Sequence, residues 1–274
     1  MEDSHTKNIA PRQPVLRVMV YIIAVLILLI WLAYTPAGIL GKADAVGYAV
    51  CHRIEMRSFN IGGVRQMPLC ARCTGMYLGA VTGLVFLWLS GNKRSGMPAW
   101  PVLTVFAFFF AAFGIDGLNS YLHLFPGAPG VYEPHNWLRL FTGTGIGLAM
   151  AAAIFLAFNQ TMWADMDWRP VVPGLRSLGL LVLLAVGIDL LVLTESPFVL
   201  YPMALISAIG VMILLTMVHS MFIVMLLRME NKATRLRQIV FPLIGGMAVA
   251  LLQIAAFDLV RYWFTGTWEG FHFG

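Results

Sequence analysis

Long apolar runs alternate with short polar breaks along this chain, and the pattern repeats seven times. The runs fall at about 15–34, 74–90, 99–119, 137–158, 177–194, 199–226 and 239–264. Each is close to the roughly 20 residues that a helix needs to cross a bilayer. The breaks carry turn and charge signals: Gly91-Asn92-Lys93-Arg94, Phe125 to Gly130, Glu195-Ser196-Pro197, and Arg228 to Arg237. In lipid only helices and closed barrels satisfy their own backbone, and these runs are too long and too uniformly apolar for barrel strands. The expectation is an all-α fold, a polytopic integral membrane bundle of about seven transmembrane helices forming one domain.

Composition agrees. Of 274 residues, 59% are hydrophobic and only 11% are charged, where a soluble domain carries about 25% charged residues. The formal charge of +5 is spread over short loops, which argues against nucleic acid as a partner. The polar start, Met1 to Gln13, is followed by an apolar run longer than a signal-peptide core. No clear small-residue cleavage site follows it, so the run is expected to stay as a first helix.

The loop cations set the expected orientation. Lys7, Arg12, Arg17, Lys93, Arg94, Arg169, Arg176, Arg228, Lys232, Arg235 and Arg237 fall on one side. Lys42, Arg53, Arg57, Arg65, Arg72, Arg139 and Arg261 fall on the other. Eleven against seven places the N-terminus in the cytoplasm and the C-terminus outside. The minority side is informative, because five of its cations crowd into the 35–73 loop. Arginines on the side that normally lacks them suggest arginines kept for a task.

That loop also holds every cysteine. It reads Cys51-His52-Arg53-Ile54-Glu55-Met56-Arg57-Ser58, then Pro68-Leu69-Cys70-Ala71-Arg72-Cys73-Thr74-Gly75. Three readings stay open. Cys70-x-x-Cys73 with Cys51, and His52 as the weakest member, could complete a tetrahedral zinc shell. The same thiols could exchange disulfides. Cys51 to Arg57-Ser58 also has the spacing of a phosphate-cradling thiolate loop, although the usual preceding His is Val50 and the loop lacks Gly. Packing of small buried thiols is the bland alternative.

Ionisable groups within spans are functional candidates. Asp116 and Asn119 share a face of the third run, and Asn136, Arg139 and Thr142 share a face of the fourth. Asp116 and Arg139 could be mutual counter-ions or contact a substrate. Asp189, without an evident local partner, is the second acid/base candidate. Asp258 and Arg261 are placed for a structural pair, and His219 for a helix–helix contact. Gly75, Gly79 and Gly83, and Gly143, Gly147 and Ala151, form small-residue stripes suited to close helix packing.

The strings around Cys51 and Cys70, with Tyr77 and Gly79, resemble an uncharacterised prokaryotic membrane-protein family, domain of unknown function 2085. Asp116-Gly117 and Asn136-Trp137-Leu138-Arg139-Leu140 with Thr142-Gly143 resemble its second block. The resemblance covers about residues 45–150, with Met56 where Pro would be expected, and leaves the last three helices outside. It implies a membrane protein and pairs the two blocks as one site; it supplies no substrate. Together these readings anticipate a zinc centre of Cys51, His52, Cys70 and Cys73. Arg53, Arg57, Arg72, Asn119, Asn136 and Arg139 would bind an anionic lipid or small molecule, with Asp116 or Asp189 as acid/base. The alternatives are a transporter or channel for a small anion or metal, or a non-catalytic subunit of a membrane complex.

Overall fold

The computed structural model describes residues 13–125 and 130–271. Lys7 and Arg12, used above for orientation, lie outside them. Among the described residues, seven helices are long and apolar enough to cross a membrane. They are α1 (Gln13–Tyr34), α3 (Ala71–Gly91), α4 (Trp100–Leu122), α5 (Asn136–Met162), α6 (Leu175–Val192), α7 (Pro197–Leu226) and α8 (Leu236–Thr265). The chain is therefore a helical membrane protein, and every run read from the sequence becomes a helix with bounds shifted by only a few residues.

One helix was not anticipated. Within the stretch read as the 35–73 loop, α2 (Ile39–Val50) packs Gly41, Ala43, Ala45, Val46, Gly47 and Tyr48 inward. At 12 residues it is too short to span a bilayer. A 3₁₀ turn (Glu55–Arg57) follows, then a two-stranded hairpin of β1 (Asn60–Ile61) and β2 (Arg65–Gln66), paired antiparallel. At the opposite end of the bundle β3 (Arg94–Gly96) pairs in parallel with β4 (Asp167–Pro170).

The spine is α3 against α5. A methyl added at Gly75 would sit 2.1 Å from the carbonyl oxygen of Leu140, and one at Gly143 would sit 2.1 Å from that of Arg72. Gly79 and Gly147 meet the partner backbone in the same way. The two glycine stripes thus face each other, and the helices touch backbone to backbone. This close approach fixes the first turn of α3 against the start of α5. Helix α5 is 56% buried over its most apolar window, against 11% for α1 and α4, so α5 is central and those two are peripheral. Phe108, Phe110, Leu183, Phe198 and Leu259 are exposed on the outside, as expected where lipid rather than water is the solvent.

Beyond α8 the chain turns back at Gly266, which adopts φ +67°. The segment to Phe271 lies over the end of α2. The Tyr48 hydroxyl donates to Thr267 O (2.7 Å), Arg53 Nη1 donates to Trp268 O (3.2 Å), and Phe271 N–H donates to His52 O (3.0 Å).

Candidate functional site

The first turn of α3 organises the site. Cys70 is its N-cap and Cys73 stands three positions on, so both thiols share one face. Pro68, against which Gly47 of α2 is packed, brings the end of α2 alongside, and Cys51 follows α2 directly. The three sulfurs lie within 4.8 Å of one another, and all three cysteines are free thiols. Cys51 Sγ accepts two backbone N–H groups, from Cys70 (3.3 Å) and Arg53 (3.5 Å). Arg53 delivers its amide from a left-handed conformation at φ +52°, strained for a residue with a side chain and typical of functional sites.

These contacts favour a thiolate at Cys51. Hydrogen bonds from the Cys70 and then the Cys73 thiol hold it well below the ordinary cysteine value, against the opposing effect of burial. The Cys70 thiol is correspondingly pushed up to about 12, first by its bond to Cys51. The N-terminus of α3 adds a positive dipole end to the group. Cys51 and Cys70 belong to a buried apolar cluster that also includes Val46, Ala208, Val211 and Ile254.

His52 does not join the sulfur group. Its Nδ1 accepts the Ile54 N–H at 3.0 Å, which leaves the proton on Nε2. Its pKa is lowered, by burial first and then by the charges of Arg57, Arg72 and Arg139, partly offset by Cys51. Those three arginines therefore act on His52, the neighbour of Cys51.

They converge on Ser120. Arg57 donates to its carbonyl (2.7 Å), while Arg72 (3.0 Å) and Arg139 (3.4 Å) donate to its hydroxyl. Arg72 also makes a short ion pair with Asp116, through both Nε and Nη2. Asp116, 1% exposed, further accepts from Tyr132 (2.9 Å) and Thr142 (3.3 Å). Burial, followed by the bond to Asp116, pushes the Tyr132 phenol up to about 12, so it remains a neutral donor. Asp116 is thus the counter-ion of Arg72, not of Arg139. Among the described residues Arg57 and Arg139 have no carboxylate within 4.0 Å. Three guanidiniums share one carboxylate, which leaves the cluster with excess positive charge.

The remaining anticipated residues fall into two groups. Asn136 and Asn119 frame the arginines. Asn136 Oδ1 accepts from Arg139 (2.8 Å), and its amide faces the Met56 carbonyl (3.3 Å). Asn119 clamps the loop after α4 by accepting Val131 N–H and donating to Tyr132 O, each at 2.8 Å. Arg53 lies apart from the cluster, paired with Asp44 (2.9 Å), which Arg65 also contacts (2.8 Å). Asp189 is elsewhere too. It is buried between α5 and α6, with Oδ1 accepting from Thr144 (2.8 Å) and Oδ2 unpartnered. Asp258 and Arg261 do not form the expected pair. Arg261 caps the end of α2, donating to the carbonyls of Tyr48 and Cys51 (2.6 Å each) and His52 (3.2 Å). His219 meets Gln253 at 2.6 Å, a contact between α7 and α8.

Sequence reasoning missed Ser120 and Tyr132. Ser120 is four residues after Asp116 on one helix face, a legible signal. Tyr132 sits in a Gly/Pro-rich connection with no pattern to mark it.

The family described as "Predicted membrane protein (DUF2085)" matches residues 51–153. An uncharacterized protein of Methanothermobacter thermautotrophicus is 36% identical over 107 residues, which are 38% of this chain and 86% of that relative. This chain belongs to the DUF2085 family. A second uncharacterized protein, from Methanocaldococcus jannaschii, is 26% identical over 121 residues, covering 43% of this chain and 70% of the relative. No solved structure matches. The segment matched to DUF2085 runs from Cys51 through α3 and α4 into α5. It holds all three thiols, the three arginines, Asp116, Ser120, Asn136 and Thr142, and leaves out α6, α7 and α8.

Proposed function

We propose that this protein is a membrane-embedded zinc enzyme acting on a phosphate-bearing lipid or small molecule. One observation carries the reading: three mutually close thiols, one receiving two amide hydrogen bonds, stand beside an under-neutralised arginine cluster. Zinc favours thiolate ligands. Cys51, Cys70 and Cys73 supply three of them, and with His52 turned to a backbone amide the fourth position is left for water or a substrate oxygen. A metal with three protein ligands and an open position is the arrangement of catalytic zinc.

Arg57, Arg72 and Arg139 suit an anion such as phosphate, which guanidinium forks bind with charge-assisted hydrogen bonds. Both Asp116 oxygens are committed to Arg72, Tyr132 and Thr142. That supports a positioning role for Asp116, holding Arg72 in place, over service as a free base. Its level in the bilayer follows the expected orientation, with the site at the outer leaflet of the plasma membrane. The transport reading has less support, because Asp116, Asp189 and Asp258 stand on three different helices, α4, α6 and α8.

The test is zinc-loaded protein reconstituted in vesicles of phosphatidic acid or phosphatidylglycerol, followed by ³¹P NMR. The expected result is turnover of a phosphate ester that falls at least tenfold in Arg139→Gln and disappears in Cys70→Ser. Neither turnover nor saturable phosphate binding in zinc-loaded wild type would end the proposal.

A further inference from the structure

Asp258 on α8 is 4% exposed, and among the described residues neither of its oxygens has a hydrogen-bond partner. Arg261, three residues on, makes no ion pair with it within 4.0 Å: both Nη groups are turned to carbonyls at the end of α2, and its buried Nε is left without a hydrogen-bond partner among the described residues. A buried carboxylate left in this condition is costly, and such groups call for an explanation. Asp258 lines a half-open groove of about 540 Å³ between α1 and α8, with Ile30, Tyr34 and Leu259 exposed at its rim and a volume within the size range of small-molecule sites. Four aromatic residues line the same groove: Trp31, Tyr34, Tyr262 and Trp268. The indole N–H of Trp31 is another buried polar group without a partner among the described residues.

Each feature favours a cation on an apolar body. Aromatic faces attract ammonium groups, and a carboxylate with two free oxygens accepts N–H donors. A small metal ion fits poorly, because hard cations need several oxygen ligands and the groove offers one carboxylate. We infer that this groove binds a primary organic ammonium. Asp258 accepts its N–H groups, the rings surround it, and the Trp31 indole donates to an oxygen next to the amine. An ethanolamine-type group carries both features, either as a lipid headgroup or as a free amine. The site is separate from the thiol and arginine groups and does not rest on the function proposed for them.

The probe is phenethylamine, compared with its neutral analogue 2-phenylethanol. Binding is measured by isothermal titration calorimetry on the full chain in phosphatidylglycerol nanodiscs. Saturable one-to-one binding of phenethylamine is expected, with 2-phenylethanol at least tenfold weaker. Asp258→Asn should weaken phenethylamine at least tenfold and leave 2-phenylethanol unchanged; Trp31→Phe should have a smaller effect. Replacing half of the lipid with phosphatidylethanolamine separates the sources. Weakened phenethylamine binding identifies a lipid headgroup as the occupant, and unchanged binding identifies a free amine. Absent saturation, equal affinity for amine and alcohol, or undiminished binding in Asp258→Asn would overturn the inference. Should Asp258→Asn fail to fold, the amine-to-alcohol ratio on the unaltered protein decides.

Discussion

The two ends of the bundle handle charge in opposite ways. At the end away from the cysteines, Lys93 pairs with Asp165 and Arg169 with Asp167, each at 2.7 Å. Asp165 is 57% exposed and Arg169 is 73% exposed. At the cysteine end, Arg72, 17% exposed, pairs with Asp116, 1% exposed, and Arg57 and Arg139 crowd the same serine, Ser120. The same ion-pair chemistry is cheap to form in water and costly to bury. That cost, concentrated beside the thiols, is why we propose the cysteine end as the working end.

The largest effect should come from the spine that holds that end together. Gly143→Leu would drive a side chain into the Arg72 carbonyl and separate α3 from α5. Loss of the monodisperse folded species on size-exclusion chromatography in detergent is expected. An unchanged elution profile would show that the first turn of α3 is not held by this contact.

Next comes the buried pair itself. Arg72→Met leaves Asp116 buried without its cation, at a cost of about 3–5 kcal/mol, visible as a large drop in thermal midpoint. Adding Asp116→Asn should recover most of that loss, because removing both charges is often close to neutral. A double variant as unstable as the single one would contradict the reading of Asp116 as the counter-ion of Arg72.

Arg57→Gln should sharpen the contrast in the other direction. Arg57 is half-buried and has no carboxylate partner, so its loss should leave the midpoint nearly unchanged. Phosphate affinity, measured by calorimetry, should fall about tenfold, in line with the loss of one hydrogen bond to a charged group. A large loss of stability with unchanged phosphate binding would make this arginine structural.

The smallest effect belongs to the opposite end. Lys93 and Arg169 hold Asp165 and Asp167 below the ordinary aspartate range. A depressed carboxylate stabilises the fold above its unfolded pKa, and the contribution is lost as pH falls through the lower folded value. Asp165→Asn and Asp167→Asn should therefore leave stability at pH 7 almost untouched and flatten a slight decline below about pH 4. A marked drop at pH 7 would erase the distinction between the two ends.

Much of this fold was legible because a bilayer imposes a length. Runs such as 199–226 and 239–264 could hardly be anything but spanning helices. Helix α2 escaped because it has no bilayer to match. Its Gly and Ala residues pack against protein, and Lys42 and Asp44 break the apolar pattern. The depth of Asp116, Arg139 and the thiols could be read from their positions in the spans, but their azimuth could not. Periodicity says which residues share a face, not which helix that face meets. Thus the Arg72–Asp116 pair, 44 positions apart, needed the structure, and so did the committed Arg261. The facing of the two glycine stripes turned a packing motif into the joint that sets the thiols beside the arginines.

The most direct test of the central claim is elemental analysis of the purified, detergent-solubilised protein, with thiols counted on the same sample. The account predicts about one zinc per chain, lost in Cys51→Ser, Cys70→Ser and Cys73→Ser alike and retained in His52→Ala. No bound metal and a single reactive thiol would contradict it, and would mean that two of these sulfurs form a disulfide and that the site works by thiol exchange.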